Sequence, residues 1–266
     1  MITVLFRQSL ADEGEFEVCK KYFRTVEQRS KVLDLDDLAI GRYSVLPYYR
    51  ELERDLPCRL INTHEQHCWI ADFAYYEAVK DYTPETWYSS NFYQCEHPGP
   101  FVVKGTTNSR KLHWDEQMFA PTKRDAIQLT KTLYQDSYIG SQEIIFRKFV
   151  PLRVYETGMF GLPFSNEWRF FCYKQQVLSH GYYWSSASEE TIKRAKITQE
   201  GFDLVNKLMP IVSKHVDFYV LDIAETAEGD WILIEINDGQ MSGLSENNPD
   251  KMYRNLRDAV YFDLTT

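Results

Sequence analysis

The chain has 266 residues, 44% of them hydrophobic, and its 39 acidic against 30 basic side chains give a formal net charge of −9. That balance excludes a surface built as a whole for nucleic acid or an anionic membrane, and leaves room only for local basic pockets. No run of about 18 apolar residues occurs, and MITVLFRQSL lacks a charged lead before a long apolar segment, so neither a membrane span nor a signal peptide is expected and the location expected is cytoplasmic. Cys19, Cys58, Cys68, Cys95 and Cys172 form an odd, scattered set without CxxC spacing, which fits reduced thiols.

In chain order, ITVLF (2–6) reads as an opening strand, followed by Phe16, Cys19, Tyr22 and Phe23 at helical spacing. Tyr48, Tyr49, Leu52 and Leu56 suggest a helix after Pro47, and residues 71–82 suggest another that stops before Thr83-Pro84. His64 and His67 lie three apart and can share a helix face, but no third ligand at metal spacing accompanies them. The breakers Pro98, Gly99 and Pro100 mark a linker, so the boundary is placed near residue 96, with an α/β unit over 1–96 and a second unit over 97–266. Beyond it come a strand over 101–104, a helix after Thr122 with Ile127, Thr130, Leu133 and Tyr134 on one face, and strands over 143–150, 167–173 and 176–184. A helix over 199–214 precedes two last strands, 219–223 and 231–237.

Those last strands carry the chemistry. AETAEGD joins them as a short polar connection, so they read as an antiparallel hairpin. With the turn centred on Glu228-Gly229, Asp222 faces Glu235; centred on Ala227-Glu228, it faces Leu233 and lies diagonal to Glu235. Either register gathers Asp222, Glu235 and Asn237 on one surface, and a bulge at Gly229 would reverse the parity. Three oxygen donors without sulfur or imidazole suit Mg²⁺, which takes one or two carboxylates and completes its shell with water and phosphate. The bland alternative is an acidic strand face paired with lysines and arginines. Upstream, FVVK ends in Lys104 and runs into a loop of Gly105, Thr106, Thr107, Asn108 and Ser109, which offers a point charge and close donors to a polyphosphate.

Lys104 in FVVKG, then IIFRKFVPL, NEWRFFCYKQQVL and LDIAETAEGDWILIEIN, in that order, resemble the ATP-grasp superfamily, and more closely its clade named for two arginines and one lysine. The resemblance covers roughly residues 98–245, and GRYSVLPYYREL is similar to part of the N-terminal domain that accompanies it. It implies an α+β fold with ATP held between two α+β subdomains. By this resemblance Lys104 reaches the phosphates, Arg147 and Arg169 are the two arginines, and the backbone of Lys148, Phe149 and Val150 binds the adenine edge. Phe101, Val103 and Ile236 then offer apolar walls, and Asp222, Glu235 and Asn237 hold Mg²⁺. Two departures stand out: Arg147-Lys148 occupies a place where many relatives have an acidic residue, and the loop after Lys104 is not glycine-rich.

The chemistry implied is activation of a carboxylate as an acylphosphate, followed by displacement of phosphate by an amine, the substrates being small molecules or peptides. Arg7, Arg42, Tyr43, Ser44, His64 and His67 are candidates to grip a substrate, a buried salt bridge being the competing role for Arg42. Gly239 and Gly243 give the loop DGQMSGLSENN freedom to close over an acceptor, while Gln240 and Ser242 receive no role. Two rivals remain. A nucleotidyltransferase would need a Lys-x-Asp/Asn-Gly motif that Lys104-Gly105-Thr106-Thr107 does not supply, and a non-catalytic ATP-binding module would have no need of the full set. Replacing Glu235 or Asp222 by alanine is expected to abolish ADP release and to spare the fold.

Overall fold

A computed structural model of the chain describes every residue except Tyr138, and only the backbone of Leu112 and Phe160. The N-terminal strands β1 (Ile2–Phe6), β2 (Arg24–Val26), β3 (Leu38–Arg42) and β4 (Arg59–Leu60) form a parallel sheet in the order β2-β1-β3-β4. The connections carry α1 (Glu15–Cys19) and α2 (Tyr49–Asp55), as parallel pairing requires. Next come α3 (His64–Ala71), opened by a reciprocal capping box between Thr63 and Gln66, and the short α4 (Tyr76–Val79).

The helix expected over 71–82 is therefore broken. Phe73 adopts φ 61°, a left-handed conformation that ends the helical run, and its fully buried ring lies 4.6 Å from Tyr75 and 5.7 Å from Tyr76. Burying that aromatic cluster outweighs a backbone cost of roughly 1–2 kcal/mol.

A second sheet has the order β5-β8-β6-β7, from β5 (Thr86–Tyr88), β6 (Phe101–Gly105), β7 (Phe119–Ala120) and β8 (Ile144–Lys148), all antiparallel. One strand of it, β5, comes from before residue 96. Helix α5 (Lys123–Leu133) covers this sheet with Ala126 and Leu133, while Ile127 and Tyr134, expected on its inner face, are exposed. After the small hairpin β9 (Val154–Thr157) and β10 (Pro163–Ser165), the third sheet takes shape from β11 (Glu167–Tyr173), β12 (Gln176–Tyr182), β13 (Phe218–Glu225) and β14 (Trp231–Asp238), in the order β12-β11-β13-β14. Helices α6 (Glu189–Arg194) and α7 (Gln199–Val212) separate its halves, and α8 (Pro249–Thr265) closes the chain. With 35% helix and 26% strand the architecture is α+β.

Side-chain alternation on the third sheet decides where the site lies. Phe170, Cys172, Tyr219, Leu221 and Ile223 pack under α7, whereas Phe171, Phe218 and Val220 face α8 and the N-terminal sheet. Glu167, Arg169 and Asp222 share parity with this second face, beyond the part that is covered. In β12, Gly181 stands opposite Arg169, and a Cβ there would overlap the backbone of Glu246 and Asn247. Gly181→Ala is therefore expected to cost about 1–3 kcal/mol, read as a lower urea midpoint. Among the described residues, no helix is long and apolar enough to cross a membrane, and the five cysteines are free thiols.

Candidate active site

The site begins with the hairpin of β13 and β14. Its turn has three residues, Ala227, Glu228 and Gly229, rather than a two-residue centre: Gly229 takes φ 100°, its amide donates to the Thr226 carbonyl, and the Thr226 amide donates to that of Asp230. Glu225 thus pairs with Trp231 and Ile223 with Leu233. Extended without interruption, that register would set Asp222 opposite Ile234 and drive Glu235, two residues after Leu233, into the core under α7. A bulge between Leu233 and Glu235 prevents this. It places Asp222 opposite Glu235, sends Ile236 into the α7 core, and turns Glu235 and Asn237 outward. The expected convergence of Asp222, Glu235 and Asn237 is present, produced by a kink at Ile234 that the sequence does not announce.

Arg147 explains how the bulge is held. Its Nη1 donates to the Ile234 carbonyl at 2.6 Å and its Nη2 to the Thr83 hydroxyl at 2.6 Å. A bulged residue loses its ladder partner, and a buried guanidinium supplies one here. Arg147 lines the cleft, but its hydrogen bonds in this structure go to a backbone carbonyl and a hydroxyl group.

Across the third sheet the polar row continues. Arg169 is paired with Asp222 in register and grips it with a two-pronged fork, Nε to Oδ1 at 2.9 Å and Nη2 to Oδ2 at 2.8 Å. Its Nη1 donates to the Gly243 carbonyl at 2.8 Å, and the guanidinium carbon lies 4.8 Å from the Tyr183 ring centre. Lys104, at the end of β6 on the facing sheet, bonds Glu235, and Asn237 Nδ2 donates to Asp222 at 3.1 Å and more weakly to Glu235 at 3.4 Å. Burial raises the cost of charge on Glu235, yet Lys104 and Lys111 overcome it and hold the carboxyl down at about 2. Burial likewise drags the Arg169 guanidinium down, and Asp222 more than reverses this. Burial lowers the Lys104 ammonium below the usual lysine range, with Glu235 opposing.

Two cavities meet at this row. One, with about 800 Å³ of open space, lies between the second and third sheets and is lined by Val102, Met118, Leu152, Trp184, Ile232 and Ile234, with Lys104 and Arg147 at its polar end. The other, about 1370 Å³, runs past Arg169, Tyr183 and Asn237 to the face of α3. Ser109, Lys111 and Glu235 border both. The walls are not those expected: Phe101 and Val103 belong to the core under α5, and Ile236 to the core under α7. Strand alternation gives the reason, since a strand that points Lys104 into the cleft must also point Val102 there. Lys148, Phe149 and Val150 line the first cavity. The amides of Lys148 and Phe149 are taken by the carbonyls of Glu85 and Pro100, and Val150 makes no backbone hydrogen bond through its amide among the described residues.

Two further residues of the site are not evident from the sequence. Lys111, half-buried, donates to the Tyr183 hydroxyl at 2.5 Å, and its clue is position, seven residues past Lys104 in the same segment. Glu167 lies two residues before Arg169 and so shares its face; it is 3% exposed, and its Oε1 has no hydrogen-bond partner. Burial pushes its carboxyl up to about 7, against the pull of Lys111. Folded, it keeps a proton up to about 7; unfolded, it gives that proton up near 4.5. Its contribution is therefore full below 4.5 and lost as pH rises through 7. Urea denaturation is expected to show about 2–3 kcal/mol less stability from this source at pH 8 than at pH 5, and Glu167→Gln should remove that part of the difference.

The N-terminal candidates divide. Arg42 is completely buried and bonds Glu15, Tyr43 and Tyr253 as well as the carbonyls of Gly239 and Ser242. It therefore has the structural role, and Tyr43 shares it by donating to Glu15 at 2.9 Å. Arg7 and Ser44 line a separate surface hollow. His64 turns toward Arg50 and Cys68, while His67 lines the larger cavity. The loop after Asn237 is pinned rather than free: Gln240 is fully buried, its Oε1 accepts from the Gly41 amide, its Nε2 donates to Tyr49, and its carbonyl accepts from the Tyr43 amide.

An ATP-grasp domain family, the third of the clade named for two arginines and one lysine, matches residues 94–256. The chain belongs to that family. Membership places it among ATP-dependent carboxylate–amine ligases. Solved ATP-grasp structures share the fold at low identity. D-cycloserine synthetase is 12% identical with a TM-score of 0.65, over 98% of this chain and 100% of that one. An ATP-grasp RimK domain protein from Sphaerobacter thermophilus is 11% identical with a TM-score of 0.61, over 98% and 100%. A RiPP-associated ATP-grasp ligase from Chryseobacterium gregarium, in complex with ADP and a leader and core peptide, is 11% identical with a TM-score of 0.60, over 99% and 97%. No curated protein sequence matches the chain.

Magnesium is the ion that the resemblance in sequence implies for these three oxygen donors. No group of three or more His, Cys, Asp or Glu residues fit to hold a metal exists among the described residues. Mg²⁺ does not need one: two carboxylates and an amide oxygen beside a cavity leave the remaining positions to water and phosphate. Asp222, Glu235 and Asn237 fit that requirement.

Proposed function

We propose that the chain transfers the γ-phosphoryl group of ATP to a substrate carboxylate and condenses the resulting acylphosphate with an amine to form an amide, the substrates being small molecules or peptides. The observation that carries this reading is the row Lys104, Glu235, Asp222, Arg169 at the seam of two cavities. The first cavity offers apolar walls and the Val150 amide to the adenine ring, and the second leaves room for a donor and an acceptor. Glu235, Asp222 and Asn237 would hold Mg²⁺, which when bound neutralises charge on the phosphates. Lys104, Lys111 and Arg169 present cations to the transferring group, and guanidinium forks match its equatorial oxygens. The bonds that Lys104 and Arg169 now make to the two acids keep all four groups charge-balanced and aimed at one place. Preorganised charge of this kind usually contributes more than any other single effect to such catalysis.

Hydroxylamine tests the proposal. Incubated with Mg-ATP, hydroxylamine and pools of amino acids, dipeptides and organic acids, the protein is expected to give ADP and a hydroxamate of its donor. An adenylyl adduct on Lys104 with no ADP would replace ligation with nucleotidyl transfer, and tight ATP binding without turnover across the pools would favour a binding module.

A further inference from the structure

Helix α3 presents His67, Ile70 and Ala71 to the larger cavity, the spacing that places side chains on one helix face. The His67 ring has one side fixed. Its Nδ1 lies 3.1 Å from Oδ2 of Asp238, a residue 4% exposed, and its ring sits 4.8 Å from that of Tyr49. Asp238 also accepts hydrogen bonds from Asn62 Nδ2 at 2.9 Å, from the Gln240 amide at 2.9 Å and from the Tyr49 hydroxyl at 3.3 Å, so with His67 its orientation is set from four directions. A carboxylate surrounded by donors takes a proton bond from Nδ1, which leaves the lone pair on Nε2. Nε2 has no hydrogen-bond partner among the described residues, and the ring borders the cavity that also holds Arg169, Glu235 and Asn237. The other charged groups facing that cavity are Arg110, Lys111 and His113.

Two features of the chain produce this arrangement. Asn237 and Asp238 are consecutive at the end of the edge strand β14, so one side chain turns to the acid row and the next turns away. The capping box at Thr63 then starts α3 so that its first full turn brings His67 beside Asp238. The acids of the row already have their cations, Glu235 bonding Lys104 and Asp222 bonding Arg169, whereas His67 stands outside that row with Asp238 as its own partner.

We infer that His67, held by Asp238, is the base that takes the proton from the acceptor amine, with Asp238 as its positioning residue. The inference rests on the ligase reading above. In the step concerned, the nitrogen lone pair of the neutral amine forms the bond to the acyl carbon and the bond from that carbon to the phosphate oxygen breaks. Phosphate leaves with that electron pair, and the surplus proton on nitrogen passes to Nε2 of His67 and on to solvent. The amide, phosphate and one proton account for every atom.

Hydroxylamine separates this role from a structural one, because it is already neutral and strongly nucleophilic near pH 7.5 and depends little on a base. The full chain, Mg-ATP and the donor found by hydroxamate formation are supplied either with hydroxylamine or with an alkyl-amine acceptor, for wild type, His67→Gln and His67→Ala. Removing a general base is worth about 10²–10⁴-fold, so the ratio of amide to hydroxamate kcat is expected to fall about 100-fold or more in both variants, with the acceptor KM within a few-fold. Equal losses in both reactions, a rise in acceptor KM alone, or an unchanged ratio would each overturn the inference. Wild type that yields neither ADP nor hydroxamate would instead remove the ligase reading on which it stands.

Discussion

Glu235→Gln is expected to lower ADP formation on the order of 10³-fold, together with a lower urea midpoint, because buried Lys104 loses its charged partner. Gln keeps an acceptor for Lys104 and removes the charge that would hold the metal. Glu235 also touches everything that matters: it bonds Lys104, receives Asn237, stands opposite Asp222 and borders both cavities. Asp222→Ala should cost stability as well. Asp222 is fully buried in a fork with Arg169, and deleting one partner of a buried pair strands the other, at a cost of about 3–5 kcal/mol. The expectation from sequence that both alanine variants spare the fold therefore does not carry over to Asp222, for which a loss of activity would be mixed with unfolding. ADP release and urea denaturation measured side by side separate the two effects.

Arg42→Ala is expected to destabilise the protein by about 3–5 kcal/mol, the largest effect of any single change outside the acid row. Its guanidinium is completely buried, and its loss would leave the buried Glu15 without its main partner. The carbonyls of Gly239 and Ser242 would lose their donor as well. Those carbonyls belong to the loop that follows Asn237, and Gly243 in the same loop accepts from Arg169. The damage should therefore spread to the site, with lower ADP formation even in the folded fraction. Replacing Glu15 and Arg42 together with Gln and Met should cost less than Arg42→Ala alone, because no charge is left stranded. Chemical denaturation of the three variants gives the ranking.

The contrast between Arg42 and Asp222 shows what the sequence makes legible. Asp222, Glu235 and Asn237 stand out because charged and amide side chains interrupt apolar strands, and a buried charge demands a partner. Their convergence follows from period-two alternation, but the local route to it does not: an odd turn at Gly229 and a bulge at Ile234 each reverse the parity, and the two reversals cancel. Bulge position depends on tertiary contacts such as Arg147 to the Ile234 carbonyl, across 87 residues. Lys104 is legible as a strand-end cation, whereas Phe101 and Val103, the apolar neighbours expected to wall the cleft, lie on the opposite face from it. Arg42 reads equally well as a ligand clamp or as a buried brace, since Glu15, Gly239 and Tyr253 are brought to it only by folding. His67 belongs to the same class, because its partner Asp238 is 171 residues away.

The central claim is that the acid row aims ATP at a carboxylate, and one isotope experiment tests it most directly. With the donor carboxylate labelled with ¹⁸O, the inorganic phosphate released during amide formation is expected to carry one labelled oxygen, because the bond broken lies between the acyl carbon and that oxygen. Amide formed with unlabelled phosphate, or with the label in AMP, would contradict it.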